Sequence, residues 1–164
     1  MLALVAACAR PAPPPAPQAF RNTAVPVYSN AVFEAGRIVG RWQQVAAFGG
    51  GCAPGAVVIS GGAGGLRHEA ALCLAGGVAR SSGALPVTGP GRLTPARADG
   101  VLAAQWWVLW VDTGYRTMVI GTPSGAFGFI LNRDGPLPAD RLVAAREVLD
   151  FNGYDLSRLQ VFGG

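Results

Sequence analysis

Val39-Gly40-Arg41-Trp42-Gln43-Gln44-Val45-Ala46-Ala47-Phe48 is the stretch whose reading decides the fold. A glycine just ahead of a strand lets another segment pass close to the backbone. A tryptophan two residues later needs a large enclosed space for its ring. In a chain made of strands, that space is the closed end of a barrel.

The strands are legible downstream. Ala56 to Ser60 and Leu66 to Leu74 read as a hairpin joined by Gly61-Gly62-Ala63-Gly64-Gly65. Val101 to Val111 is the densest apolar run. It ends at the turn residues Asp112-Thr113-Gly114-Tyr115, after which Thr117 to Ile120 resumes a strand. Ala126 to Arg133 is another, with Phe127, Phe129 and Leu131 on one face. Gly76 to Pro95 carries only short apolar pieces, and its strands cannot be placed. One segment reads as a helix, from Pro138 or just after Asp140 to the stop at Asn152-Gly153, with Leu142, Ala145, Val148 and Leu149 at helical spacing. Leu156 to Phe162 returns as a closing strand. Phe20 to Arg37 is expected to wrap the closed end as an irregular arm, with Pro26, Tyr28 and Phe33 in apolar contacts.

The chain has 164 residues, enough for one core plus an N-terminal extension. Charged residues are 13% and hydrophobic ones 51%, while 24 Gly and 13 Pro without a period suit many turns between short strands. All 13 basic residues are Arg, spread singly from Arg10 to Arg158. No basic cluster is interleaved with aromatics, so nucleic acid is excluded as a partner, while the net charge of +4 leaves room for attraction to an anionic membrane surface.

Three regions follow: 1–8, 9–20 and 21–164. Met1 to Ala7 is apolar but too short to span a membrane. Val5-Ala6-Ala7-Cys8 resembles a bacterial lipobox, which makes Cys8 the lipidated residue; the positively charged segment a signal peptide needs is expected upstream of Met1. Residues 9–20 are a proline-rich linker, a stiff spacer between lipid and folded domain. Ala9 after the cysteine points to the outer membrane. If Cys8 carries lipid, Cys52 and Cys73 remain as an even pair in an oxidising compartment, and the hairpin between them brings them together as a disulfide. Two cysteines with one distant His68 supply too few ligands for a metal.

Gly40-Arg41-Trp42 opening the first strand, Val111-Asp112 before Tyr115-Arg116, Phe129-Ile130-Leu131-Asn132-Arg133 ending the last main strand, and one helix leading into Gly153-Tyr154-Asp155 agree in order and spacing. Together they make residues 39–162 resemble the lipocalins, and most closely the bacterial outer-membrane lipoproteins related to apolipoprotein D. The resemblance implies an all-β fold: an eight-stranded antiparallel up-and-down β-barrel with the helix packed outside. It implies that Gly40, Trp42, Asp112 and Arg133 form the structural motif, with Arg133 over Trp42. Val111-Asp112-Thr113 departs from the usual Thr-Asp-Tyr, and the poverty of aromatics in 76–95 leaves one wall undefined.

In that phase Trp106, Val108, Trp110, Met118, Ile120, Phe127, Phe129 and Leu131 face the interior. A wall of indole, phenyl and aliphatic groups suits an acyl chain, so the expected ligand is a small hydrophobic molecule such as a fatty acid or lysophospholipid, bound by a lipid-anchored protein of the cell envelope that faces the periplasm. No cofactor is required and no enzyme is expected. Two alternatives stand beside this reading: a barrel whose large side chains fill it as a structural lipoprotein, and an enzyme on the same barrel using His68 or a free Cys73 thiol. Glu69 points away from His68 along a strand, so the two form no acid–base pair. Arg41 reads as a solvated strand residue.

Overall fold

The computed structural model describes residues 19–163. The lipobox cysteine Cys8 and almost all of the proline-rich segment lie outside them.

Among the described residues, eleven strands form one antiparallel sheet curled on itself. They are β1 (Gly40–Phe48), β2 (Ala56–Gly62), β3 (Gly65–Leu74), β4 (Gly77–Ala84), β5 (Val87–Gly89), β6 (Arg92–Leu93), β7 (Arg97–Ala98), β8 (Trp106–Val111), β9 (Thr117–Gly121), β10 (Gly128–Asn132) and β11 (Leu159–Val161). The count exceeds the expected eight for a physical reason. One bent segment, 92–98, pairs with β8 through β6 and with β4 through β7, so Thr94-Pro95-Ala96 joins two ladders that a straight strand would make continuously. Proline cannot donate to a ladder, and the break falls around it. Since β10 pairs with β1, this segment completes the ring, and β5 and β11 are additions at its margins. The segment 76–95, unplaced by sequence, holds β4, β5 and β6, with β4 paired to β3 along its whole length.

Antiparallel alternation fixes the two ends of the barrel. At the closed end lie the 3-10 turn Ala35–Ile38, the β2–β3 turn, the β8–β9 turn and Arg133. At the mouth lie the β1–β2 loop, the β3–β4 turn, the β7–β8 connection and the β9–β10 turn. Cys52 and Cys73 are bonded, tying the β1–β2 loop to β3. Gln44, buried, reinforces that tie: its amide donates to the Cys73 carbonyl, and its oxygen accepts from the Gly55 and Cys73 N–H groups.

The helix, α1 (Ala139–Phe151), buries Ala145 and Leu149 against the outside of the barrel, with Leu142 and Val148 beside them. Arg141 pins its first turn by donating to Thr117 Oγ1 at 2.8 Å, and Thr117 in turn donates to Asn132. The N-terminal arm departs from expectation. It starts near the mouth, where the Phe20 ring lies 5.6 Å from Phe48 and Arg21 donates to the carbonyls of Pro123, Val25 and Asn152. It then climbs the outside, and only residues from Phe33 onward reach the closed end, where Phe33 meets Tyr115. Pro26 is exposed, and Tyr28 meets Phe151 of the helix rather than the barrel end.

Candidate functional site: the barrel interior

Period-two alternation puts one side of every strand inside. The interior cluster contains Trp42 from β1, Val57 and Ile59 from β2, Leu72 and Leu74 from β3, Leu93 from β6, Trp106, Val108 and Val111 from β8, Met118 and Ile120 from β9, and Phe129 and Leu131 from β10, with Phe127 just before β10. Seven of the eight residues expected to line the interior belong to this cluster: Trp106, Val108, Met118, Ile120, Phe127, Phe129 and Leu131. Trp110 does not. The β8–β9 register slips by one residue between Val108 and Trp110, a bulge that turns Trp110 to the outer face beside α1 and brings Val111 inward. Strict alternation fails where a bulge inserts a residue, and nothing in Val108-Leu109-Trp110-Val111 marks the slip.

The centre is aromatic. Trp106 meets Phe129 edge-on at 5.6 Å, and Phe129 stacks with Phe127 at 5.7 Å. The Trp106 indole N–H donates to the Leu102 carbonyl at 3.1 Å. Leu102 sits on the 3-10 turn Gly100–Ala103 between β7 and β8, and it covers the mouth with its side chain fully buried. Leu85, equally buried, covers the other end from the β4–β5 link, where its N–H donates to the Leu66 carbonyl. Sequence reasoning missed both, because neither lies on a strand; Val101 to Val111 reads as one apolar run, although the strand begins only at Trp106. It also missed Leu72 and Leu74, whose spacing from His68 and Ala70 is a period-two signal.

The interior is packed. Trp42, Val57, Leu72, Val108, Ile120, Phe127, Phe129 and Leu131 are all 0% exposed. A void wide enough for one water molecule would leave accessible area on its walls, and these walls have none. One polar pair interrupts the apolar lining. His68 lies inward with its ring 5.4 Å from Trp106; its Nε2 is 2.5 Å from Ser81 Oγ and its Nδ1 3.2 Å from the Gly83 carbonyl. The carbonyl can only accept, so Nδ1 carries a proton, while Ser81 has one hydroxyl proton for two acceptors, Nε2 of the neutral ring and the Arg97 carbonyl at 3.1 Å. Burial pulls the His68 pKa below its ordinary value, opposed in part by the bond to Gly83. Cys73, the other group considered for chemistry, is held in the disulfide.

The closed end is built on Trp42 and Arg133. The guanidinium carbon of Arg133 lies 3.8 Å above the Trp42 ring, while its Nη1 and Nη2 donate to the Val39 and Arg37 carbonyls at 3.0 and 2.8 Å. The indole N–H donates to the Ile38 carbonyl at 2.8 Å. Gly40 has φ of 130°, and a Cβ there would come within 3.3 Å of Arg133 Nη1, so what passes close to this glycine is a side chain rather than a backbone. Asp112 caps the β8–β9 turn by accepting from the N–H groups of Gly114, Arg116 and Thr117.

A ring of antiparallel strands closed by Arg over Trp, with an apolar interior and one outer helix, defines the lipocalin fold. Residues 91–163 match the family model described as a lipocalin-like domain. Among solved structures, the chain is similar to insecticyanin from the tobacco hornworm Manduca sexta, with a TM-score of 0.61 and 14% identity over 85% of each chain. It is also similar to the major allergen Per a 4 from cockroaches, with a TM-score of 0.59 and 12% identity over 81% of this chain and 89% of that one. The siderocalin Ex-FABP, described as having dual ligand specificities, aligns with a TM-score of 0.57 and 14% identity over 78% of this chain and 95% of that one. No curated protein matches the sequence. At these identities the likeness is one of fold.

Proposed function

We propose that this protein binds small hydrophobic molecules, fatty acids or lysophospholipids, in its barrel interior, and that a lipid on Cys8 holds it at the cell envelope, at the outer membrane. The observation that carries the reading is an interior lined by apolar side chains, interrupted by the His68–Ser81 pair, with the fully buried Leu102 at its mouth on a 3-10 turn of four residues. Displacing a short turn breaks no ladder, whereas displacing a strand breaks several hydrogen bonds. An acyl chain gains about 0.8 kcal/mol for each methylene taken from water, so a few methylenes offset the exposure of one leucine at roughly 1.5–3 kcal/mol. The ligand enters by pushing Leu102 aside and repacking Trp106 and Phe129 around itself. No cofactor takes part.

The full burial of the interior side chains favours a second reading, a filled barrel with a structural role. Titration with a fluorescent fatty acid, following tryptophan emission, separates the two. Saturable one-to-one quenching supports binding. A folded protein giving no saturable signal leaves the filled barrel.

A further inference from the structure

Across the outer face of the barrel, register sets residues side by side that the sequence scatters. Glu69 of β3 is paired with Ser82 of β4, and Ser82 with Arg97 of β7. Arg67 and Arg80 flank this row diagonally, since Arg67 pairs with Ala84 and Ala71 with Arg80. Diagonal neighbours on adjacent strands lie about 7–8 Å apart at Cα, well within an arginine's reach. Three guanidinium groups and one carboxylate thus surround the hydroxyl of Ser82. All five side chains are exposed. The ion pair found among the described residues is Arg37 with Glu34, and none of these four charges has a carboxylate or guanidinium partner within 4.0 Å.

The surface there is concave. Two depressions, of about 780 and 380 Å³, share Val58, Glu69, Ser82 and Arg97. The hollow has a local cause: Ala56, Ala71 and Ala98 make a low floor between longer side chains, and Gly55 lies flat on β3, where a Cβ would fall 1.7 Å from the Ala71 carbonyl. Each is of the size of a small-molecule site. Of these residues, Ala98 also packs against the interior cluster, and Arg41 and Asp99 add one charge of each sign to the lining of the larger depression.

We infer that this outer hollow is a binding site for a phosphoryl group carrying a nearby ammonium, the phosphoethanolamine class. Arginine's planar fork matches phosphate oxygens, and Arg67, Arg80 and Arg97 supply three of them around a hydroxyl donor. Glu69 decides the rest. A bare phosphate is repelled by the central carboxylate, whereas a ligand with an ammonium beside its phosphate turns that repulsion into a second contact. This chemistry is offered both by a soluble phosphoethanolamine and by a lipid headgroup.

Calorimetric titration of the full chain with O-phosphoethanolamine and with inorganic phosphate, at constant ionic strength, tests the inference. The expected result is saturable binding with at least a tenfold preference for O-phosphoethanolamine. Arg80→Gln with Arg97→Gln lowers both affinities tenfold or more. Glu69→Gln abolishes the preference by tightening phosphate and weakening O-phosphoethanolamine. Sedimentation with phosphatidylethanolamine/phosphatidylcholine vesicles, against phosphatidylcholine alone, shows whether the membrane-borne form is also taken; binding in solution without it assigns the site to the soluble form. The inference is overturned by absence of saturable binding, by equal affinity for the two probes, or by a preference that survives Glu69→Gln. Each substitution is at an exposed position, and circular dichroism of the variants confirms that the fold persists.

Discussion

Leu102→Ala has two effects of opposite sign on stability and on binding. The side chain is fully buried at the mouth, so truncation removes three carbons from the packed interior. Leucine-to-alanine changes in cores cost about 2–5 kcal/mol, and a site on a short 3-10 turn relaxes more readily than one on a strand, which sets the expected loss at about 2–3 kcal/mol. The same three carbons are what a ligand must displace. At about 0.8 kcal/mol each they oppose binding by about 2.4 kcal/mol, so their removal tightens binding by about 50-fold. Denaturant unfolding and a fluorescent fatty-acid titration on the same variant measure both numbers. Leu149→Ala is the control, since Leu149 is as deeply buried but lies on α1, packed against the outside of the barrel. It should lose stability with no change in affinity. If Leu102→Ala is destabilised but binds no better, or Leu149→Ala tightens binding equally, the mouth is not where ligand enters.

Other consequences are as direct. Cys52→Ser or Cys73→Ser opens a covalent loop with a sequence separation of 21 and should cost about 3 kcal/mol in unfolding free energy, whereas a reductant should leave the variants unaffected and destabilise the parent by the same amount. Tyr154→Phe leaves the Phe127 carbonyl and the Thr122 N–H without their hydroxyl partner and should cost about 1–3 kcal/mol. Burial pushes the Tyr154 hydroxyl up to about 12, with the Thr122 bond and Arg21 opposing. Its contribution is therefore full below the unfolded value near 10 and is lost as pH rises towards 12; the phenylalanine variant should lack that alkaline slope in thermal melts. His68 behaves in the opposite sense. Its folded pKa lies below the unfolded value of about 6.5, so the unfolded chain takes up the proton first, and stability should fall as pH drops below about 6.5, a slope absent in His68→Asn.

What could be read from the sequence was whatever depends on local periodicity and on chemistry fixed along the chain. The strand ending Phe129-Ile130-Leu131-Asn132-Arg133, the helix stopping at Asn152-Gly153, the hairpin around Ala63-Gly64 and the cysteine pair flanking it each carry their own signal. Trp110 was misplaced because phase propagates along a strand only until a bulge, and Val108-Leu109-Trp110-Val111 is apolar on both sides, one facing the interior and the other α1. With both faces buried, alternation vanishes and the sequence holds no record of the slip. Leu85 and Leu102 were invisible for a different reason: they cover the ends of the barrel from irregular segments, where no period exists to count. The outer cluster around Ser82 depends on the pairing of β3, β4 and β7, a relation between positions 67, 69, 80, 82 and 97 that only register creates. Arg41, read as a solvated strand residue, is indeed exposed, at the rim of the larger hollow.

The four tryptophans provide the most direct test of binding inside the barrel. Trp42 and Trp106 lie within the interior cluster, while Trp107 and Trp110 pack on the outside. Their indole N–H groups give four separate signals in a nitrogen–proton correlation spectrum. With a fatty acid spin-labelled near its methyl end, binding in the interior should broaden the Trp106 signal more strongly than those of its outward-facing strand neighbours Trp107 and Trp110 at one equivalent. Stronger broadening of Trp107 and Trp110 than of Trp106 would place the ligand on the outer surface and contradict an interior site.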